Sequence, residues 1–177
     1  EMPSLDDMNE AGLRLWVEAK PGRVNDHGRH GYTALVEAIH RIKSLPLVVW
    51  LLDEKGADVD VIMRKSRFSG GTALHYAASL DILNALLDRG ANPLIANRRG
   101  TLPLMVCCAR KGTVEVMARL LEEQRVRATI NVQDRYGRTA LHQAVYCDIG
   151  RDQGAAKVPL LLQAGADPTF YDHNREF

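Results

Sequence analysis

Three kinds of residue in this 177-residue sequence could do chemistry: neighbouring thiols, spaced imidazoles and clustered arginines. Cys107 and Cys108 are adjacent, and Cys147 stands alone. Thiols that hold zinc or exchange disulfides are usually spaced C-x-x-C. Adjacent residues on a helix point about 100° apart, poor geometry for sharing one metal. His27 and His30 are three apart in a polar loop, a weak pair of ligands at best. His75 and His142 have no nucleophile beside them in the chain. Gly70-Gly71 precedes a helix start, where N–H groups could hold an anion, but turn geometry explains those glycines as well. There is no G-x-x-x-x-G-K-[ST] loop, no G-x-G-x-x-G, no G-x-S-x-G elbow and no H-E-x-x-H. The expectation is a chain with no catalytic residue, no cofactor site and no metal site.

The arginines remain. Arg64, Lys65 and Arg67 lead into Phe68, Arg98 and Arg99 are adjacent, and Arg135 and Arg138 flank Tyr136. Arginine forks match carboxylates and phosphates. Against nucleic acid stand a sequence pI of about 8.0 and the lack of any nucleic-acid-binding motif. Net charge is +1, apolar content 46% and charged content 25%, ordinary for a globular domain with a sizeable core. No apolar run reaches membrane-spanning length, and Glu1-Met2-Pro3-Ser4 shows no basic, apolar leader. An odd number of cysteines does not suggest a disulfide framework, so an intracellular setting, cytoplasm or nucleus, is expected. The chain opens without Met and stops inside a turn at Asp172-His173-Asn174-Arg175, so a fragment of a longer protein is expected.

What positions these residues is a repeat. Gly71-Thr72-Ala73-Leu74-His75-Tyr76-Ala77-Ala78 returns as Gly137-Arg138-Thr139-Ala140-Leu141-His142-Gln143-Ala144. A looser copy starts at Gly31-Tyr32-Thr33-Ala34-Leu35, and a degenerate one at Gly100-Thr101-Leu102-Pro103-Leu104. Thr33, Thr72, Leu102 and Thr139 hold equivalent places, spaced by 39, 30 and 37 residues. Each copy is followed by a Leu-Leu pair, and most then by Gly-Ala-Asx. Thr can cap a helix start, and Gly followed by Pro beyond suits a helix end. Recurrence near 33 residues marks a stacked-repeat architecture.

These motifs resemble the ankyrin repeat family, whose unit is a β-turn finger followed by two antiparallel helices. The resemblance implies an all-α solenoid of stacked units over residues 1–177. Residues 1–25 form a helical N-terminal cap, 25–58, 59–93, 94–130 and 131–168 form four repeats, and 169–177 start another. It assigns His75 and His142 to a turn-locking polar network. Within this frame, Ser4 or Asp6 is expected to cap a helix from Ser4 to Lys20. The first helix of repeat one is expected near 33–42, and Ser44 starts its second. Asp81 is expected to cap Ile82 to Arg89 in the short second repeat. The second helix of repeat three is expected to be long, with an irregular exit. A flexible insertion is expected over 149–154, with α-helix resuming late enough to leave Pro159 in or near a first turn.

The resemblance further implies a non-catalytic protein-binding module. Its first helices and fingers would line a concave face, with Glu37, Tyr76, Val106 and Gln143 projecting there. The fingers 25–32, 60–71, 94–101 and 131–138 carry eight Arg or Lys against three Asp, a net +5, which leaves −4 for the remainder of a +1 chain. The expected partner is another protein or peptide, an acidic one suiting the basic finger edge, contacting Arg64, Lys65, Arg67, Phe68, Tyr76, Arg98, Arg99, Val106, Arg135, Tyr136, Arg138 and Gln143. Two other classes stay open: a regulatory or targeting segment of an enzyme whose catalytic part lies elsewhere, and a spacer with no saturable partner.

Overall fold

Thr33 shows how the helices start. Its backbone is extended, its Oγ1 accepts the Val36 N–H at 3.4 Å, and α2 (Ala34–Glu37) follows. A computed structural model describes Leu5 and residues 8–64, 70–111, 113–148 and 156–173. The regular structure among those residues is helical, with no strand. They form two compact units, Glu1–Ala77 with Asp81–Asn92, and Ala78–Leu80 with Pro93–Phe177.

In the first unit, α1 (Glu10–Ala19) buries Leu13, Trp16 and Val17, a stripe at helical spacing. Its cap is Asn9, whose Oδ1 accepts the Gly12 N–H at 2.9 Å. The expected start at Ser4 is therefore too early, and Ser4 and Asp6 lie outside the described residues. α2 widens into a π-turn over Ala38–Ile42 and ends at Lys43 in the left-handed region. The first helical stretch of repeat one thus covers the expected span. Ser44 caps α3 (Leu45–Asp53) as expected, accepting the Leu47 N–H at 3.3 Å, with Pro46 in the first turn. Leu47, Val48 and Leu51 are buried.

The second repeat corrects the sequence reading. After Thr72 only a single 3-10 turn forms, Ala73–His75, and α4 runs Leu80–Leu87. Asp81 sits inside the first turn of α4 rather than capping it. The cause is length. Thr72 to Leu86 is fourteen positions against eighteen for Thr33 to Leu51, one helical turn fewer. The missing turn comes from the first helix, because Ile82, Leu83, Ala85 and Leu86 are all needed as core.

Side chains tie successive repeats of this unit across 32 to 36 residues. Asn25 Oδ1 accepts the Asp58 N–H at 2.8 Å, and the Asp60 carboxylate accepts the Asn92 N–H at 3.1 Å. The Arg89 guanidinium forks onto Asp53 at 2.6 and 2.7 Å.

In the second unit, α5 (Pro103–Cys108) is buried along its whole length. Leu102 stands where Thr stands elsewhere and supplies no side-chain cap. α6 (Val114–Glu122) buries Val116, Met117, Leu120 and Leu121. At Glu123 the backbone turns extended, and α7 (Gln124–Ala128) follows as a separate piece. The expected long helix is therefore broken in two, with its irregular exit supplied by α7 and Thr129. α8 (Ala140–Asp148) and α9 (Lys157–Gln163) complete the unit. Pro159 falls in the first turn of α9, where its missing N–H costs nothing. The expected loop at 149–154 lies outside the described residues. Asn131 closes this unit as Asn25 closes the other. Its Oδ1 accepts the Asp167 N–H at 2.8 Å, and its Nδ2 donates to Gly165 O at 3.1 Å.

Candidate partner-binding site

Each finger must expose side chains from a backbone that holds its own shape. In the second unit an Asx residue five places before the capping position does this. Asn97 Oδ1 accepts the N–H groups of Arg99 and Thr101 at 2.8 and 3.0 Å. Asp134 Oδ1 accepts those of Tyr136 and Arg138 at 2.8 and 3.0 Å. Short polar side chains mimic a backbone turn in this way. Gly137 completes the finger at φ +77°, and a Cβ there would lie 2.8 Å from the His173 ring. Only glycine meets both demands.

The fingers are also tied to each other. The Arg135 N–H donates to Arg99 O at 2.8 Å, and the His173 N–H to Tyr136 O at 2.9 Å. Arg98, Arg99 and Arg135 are exposed on these tips, and Tyr136 is 48% exposed. Arg138 is differently placed. Its Nε and Nη2 lie 3.2 and 3.1 Å from Asp134 Oδ2, and its guanidinium sits 4.6 Å from the centroid of the Tyr136 ring. Its charge is largely spent on a buried carboxylate, so it adds less to the finger surface than its charge implies.

The predicted concave-face residues are corrected by burial. Tyr76 is 1% exposed and Val106 6%. The Tyr76 ring packs edge-on against Tyr32 and His40, with centroids 5.5 and 5.4 Å away. Glu37, at the equivalent place, is buried too and pairs with Arg41 at 3.5 Å. Gln143 is half-buried, and its Nε2 points back to Asp134 Oδ2 at 3.4 Å. The fourth position after the cap belongs to core or to the finger's own support. In the first unit Arg64 is exposed, whereas Lys65, Arg67 and Phe68 lie outside the described residues.

The histidines take the role the resemblance gave them. His75 Nδ1 accepts the Thr72 N–H at 3.0 Å and lies 3.2 Å from Thr72 Oγ1. His142 repeats this with Thr139 at 3.2 and 2.9 Å. A ring nitrogen that accepts an N–H carries no proton, so both rings hold theirs on Nε2. Gly71 leaves room for this lock, since a Cβ there would fall 2.4 Å from the His75 ring.

The thiols are poorly placed for reaction. Cys107 and Cys108 are buried, and burial pushes the Cys107 thiol up to about 11. The His27 Nε2 lies 3.1 Å from Ile62 O, a hydrogen-bonding distance that occupies the nitrogen a metal would need. No group of three His, Cys, Asp or Glu among the described residues could hold a metal. The finger-closing Asn97 and Asp134 were missed in the sequence. Their signal was an Asx followed three residues later by Gly, at Asn97…Gly100 and Asp134…Gly137.

Comparison with known proteins agrees with the repeat reading. A family model for ankyrin repeats, in three copies, matches residues 74–172, and a model for the single ankyrin repeat matches residues 30–64. A search of curated proteins found no match. Ankyrin repeats are generally protein–protein interaction modules and typically non-catalytic. No helix among the described residues is long and apolar enough to cross a membrane. With its repeats matched over more than half of its length, this all-α chain belongs to the ankyrin repeat family.

Proposed function

We propose that this protein binds an acidic segment of another protein through its finger arginines. The observation that supports this reading is the Arg135 N–H bond to Arg99 O at 2.8 Å, which sets two finger tips side by side. Arg98, Arg99 and Arg135 then form a cluster beside the exposed ring of Tyr136. Arginine and tyrosine are the residues that most often dominate partner binding. Arg forks onto carboxylates, and exposed charges steer an oppositely charged partner. Arg64, with Lys65, Arg67 and Phe68 of the inserted finger, extends the same chemistry in the first unit. Arg138 and Gln143 act indirectly, by holding Asp134 and hence the finger. Tyr76 and Val106 support the core behind the surface. Three free cysteines suit a reducing compartment, consistent with an intracellular role.

The test uses a labelled polyglutamate peptide and any partner captured from lysate. Affinity is measured at low and high salt for the wild type and for Arg98→Glu with Arg99→Glu. Screening acts beyond about 8 Å at physiological ionic strength, so wild-type binding weakens with salt. The double variant weakens low-salt binding by about tenfold or more, as two attractions become repulsions. Its urea midpoint stays put, because both residues are exposed on a turn. Equal affinity in all four measurements would remove the finger arginines from the mechanism.

A further inference from the structure

Lys157 opens α9 with its side chain turned inward and only 2% exposed. Its Nζ donates to Cys107 O at 2.9 Å, to Cys108 O at 3.1 Å and to Arg110 O. These carbonyls sit where α5 ends, and Cys107 O also accepts the Arg110 N–H at 3.3 Å. The Thr113 hydroxyl reaches the same place, within 2.7 Å of Cys107 O and 3.2 Å of Arg110 O. A buried ammonium loses its hydration and keeps its charge only where other groups replace that water. Three carbonyls for three N–H donors are a full replacement. They also lie at the end of a helix, the end that favours a cation. All of these residues belong to the second unit.

We infer that the C-terminal end of α5 is a binding site for a primary ammonium group, filled from within the chain by Lys157. The filled site holds α9 against α5. It also shields Cys107 and Cys108, which lie in the stretch whose carbonyls it caps. Recognition rests on N–H donors directed at carbonyls. A quaternary ammonium, with charge but no donor, does not satisfy it. A bare hydrocarbon stem of the same length fills the space but withdraws the three ammonium donors, leaving the Thr113 hydroxyl to serve Cys107 O and Arg110 O.

The experiment reads the labelling rate of Cys107 and Cys108 by an aromatic disulfide reagent, on the full chain. Cys147 is partly exposed and is first changed by Cys147→Ser. In that background, Lys157→Ala and Lys157→Met are each expected to label at least about tenfold faster, since bonds from a charged donor are lost. Ethylammonium chloride should return the Ala variant toward the parent rate, because it restores both donors and charge. Tetramethylammonium chloride at equal ionic strength should not. The Met variant should respond to neither salt, since its side chain occupies the place of the lysine stem. Parent-like labelling of the Met variant would show that the lysine serves only as packing, and would overturn the inference. Equal rescue by the two salts would also overturn it, leaving ionic strength as the cause. If the Ala variant does not fold, the Met variant decides the matter by its rate.

Discussion

Asp134 gathers five donors on one buried carboxylate: the N–H groups of Tyr136 and Arg138, two guanidinium nitrogens of Arg138, and the Gln143 amide. Removing it strands several of them at once. Asp134→Ala is therefore expected to cost about 1–3 kcal/mol, or more if Arg138 is left uncompensated. Asp134→Asn keeps the Oδ1 acceptor and should cost less. Urea midpoints of both variants check the order, and an Asn variant weaker than the Ala variant would contradict it. Two other carboxylates give opposite pH signatures. Asp53 is held below its ordinary value first by the hydrogen bond from Arg89. Its contribution is present above the unfolded value of 3.8 and is lost as pH falls through the lower folded value. Asp60 is pushed up, chiefly by burial, against the opposing Asn92 bond. Its contribution is present below 3.8 and is lost as pH rises through the higher folded value. Relative to wild type, Asp60→Asn should therefore gain midpoint between acid and neutral pH, while Asp53→Asn should lose it. Parallel urea-midpoint profiles for the two variants would refute these assignments.

At the scale of elements, helix starts were legible at Thr33 and Ser44 but not at α1 or α4, and helix lengths were not legible. Thr33 and Ser44 cap as their residue types demand, because a side-chain oxygen near the first free N–H groups is a local matter. At the N-terminus several polar residues compete, and Asn9 wins because it places Leu13, Trp16 and Val17 inward. The shortening of repeat two to a 3-10 turn was settled by which residues the core needs, and that is not local. Leu102 makes the same point in energies. Thr at this place would add a cap of about 0.5–2 kcal/mol. Leu102 is 7% exposed, and burying such a side chain contributes about 1.5–3 kcal/mol. Leu102→Thr is thus expected to lower the thermal midpoint despite completing the motif. A higher midpoint would show that capping outweighs burial here.

Across the whole molecule, the repeat identity was legible because four copies report the same positions, whereas the candidate site was legible only in part. Counting charges in the fingers treats every arginine as free, but Arg138 is committed to Asp134. Placing the fourth residue after each cap on an outer face fails because that place turns toward the core or toward its own finger, as Tyr76 and Gln143 show. The apolar positions carried no such ambiguity. Leu35, Leu74, Leu104 and Leu141 occupy one place in the four copies, and all are buried. Truncating such a residue to Ala removes transfer energy and leaves a hole, about 2–5 kcal/mol. That is a large part of the roughly 5–15 kcal/mol typical of a folded domain. The two tryptophans, Trp16 and Trp50, both lie in the first unit, so their fluorescence follows that unit while far-UV circular dichroism follows the whole chain. Leu74→Ala is expected to lower the urea midpoint seen by fluorescence, since Leu74 is in the same unit. Leu141→Ala, in the second unit, is expected to lower the midpoint seen by circular dichroism. Wild-type midpoints by both probes for both variants would mean that the shared leucine does not carry the repeat cores, and that the motif's recurrence has some cause other than packing.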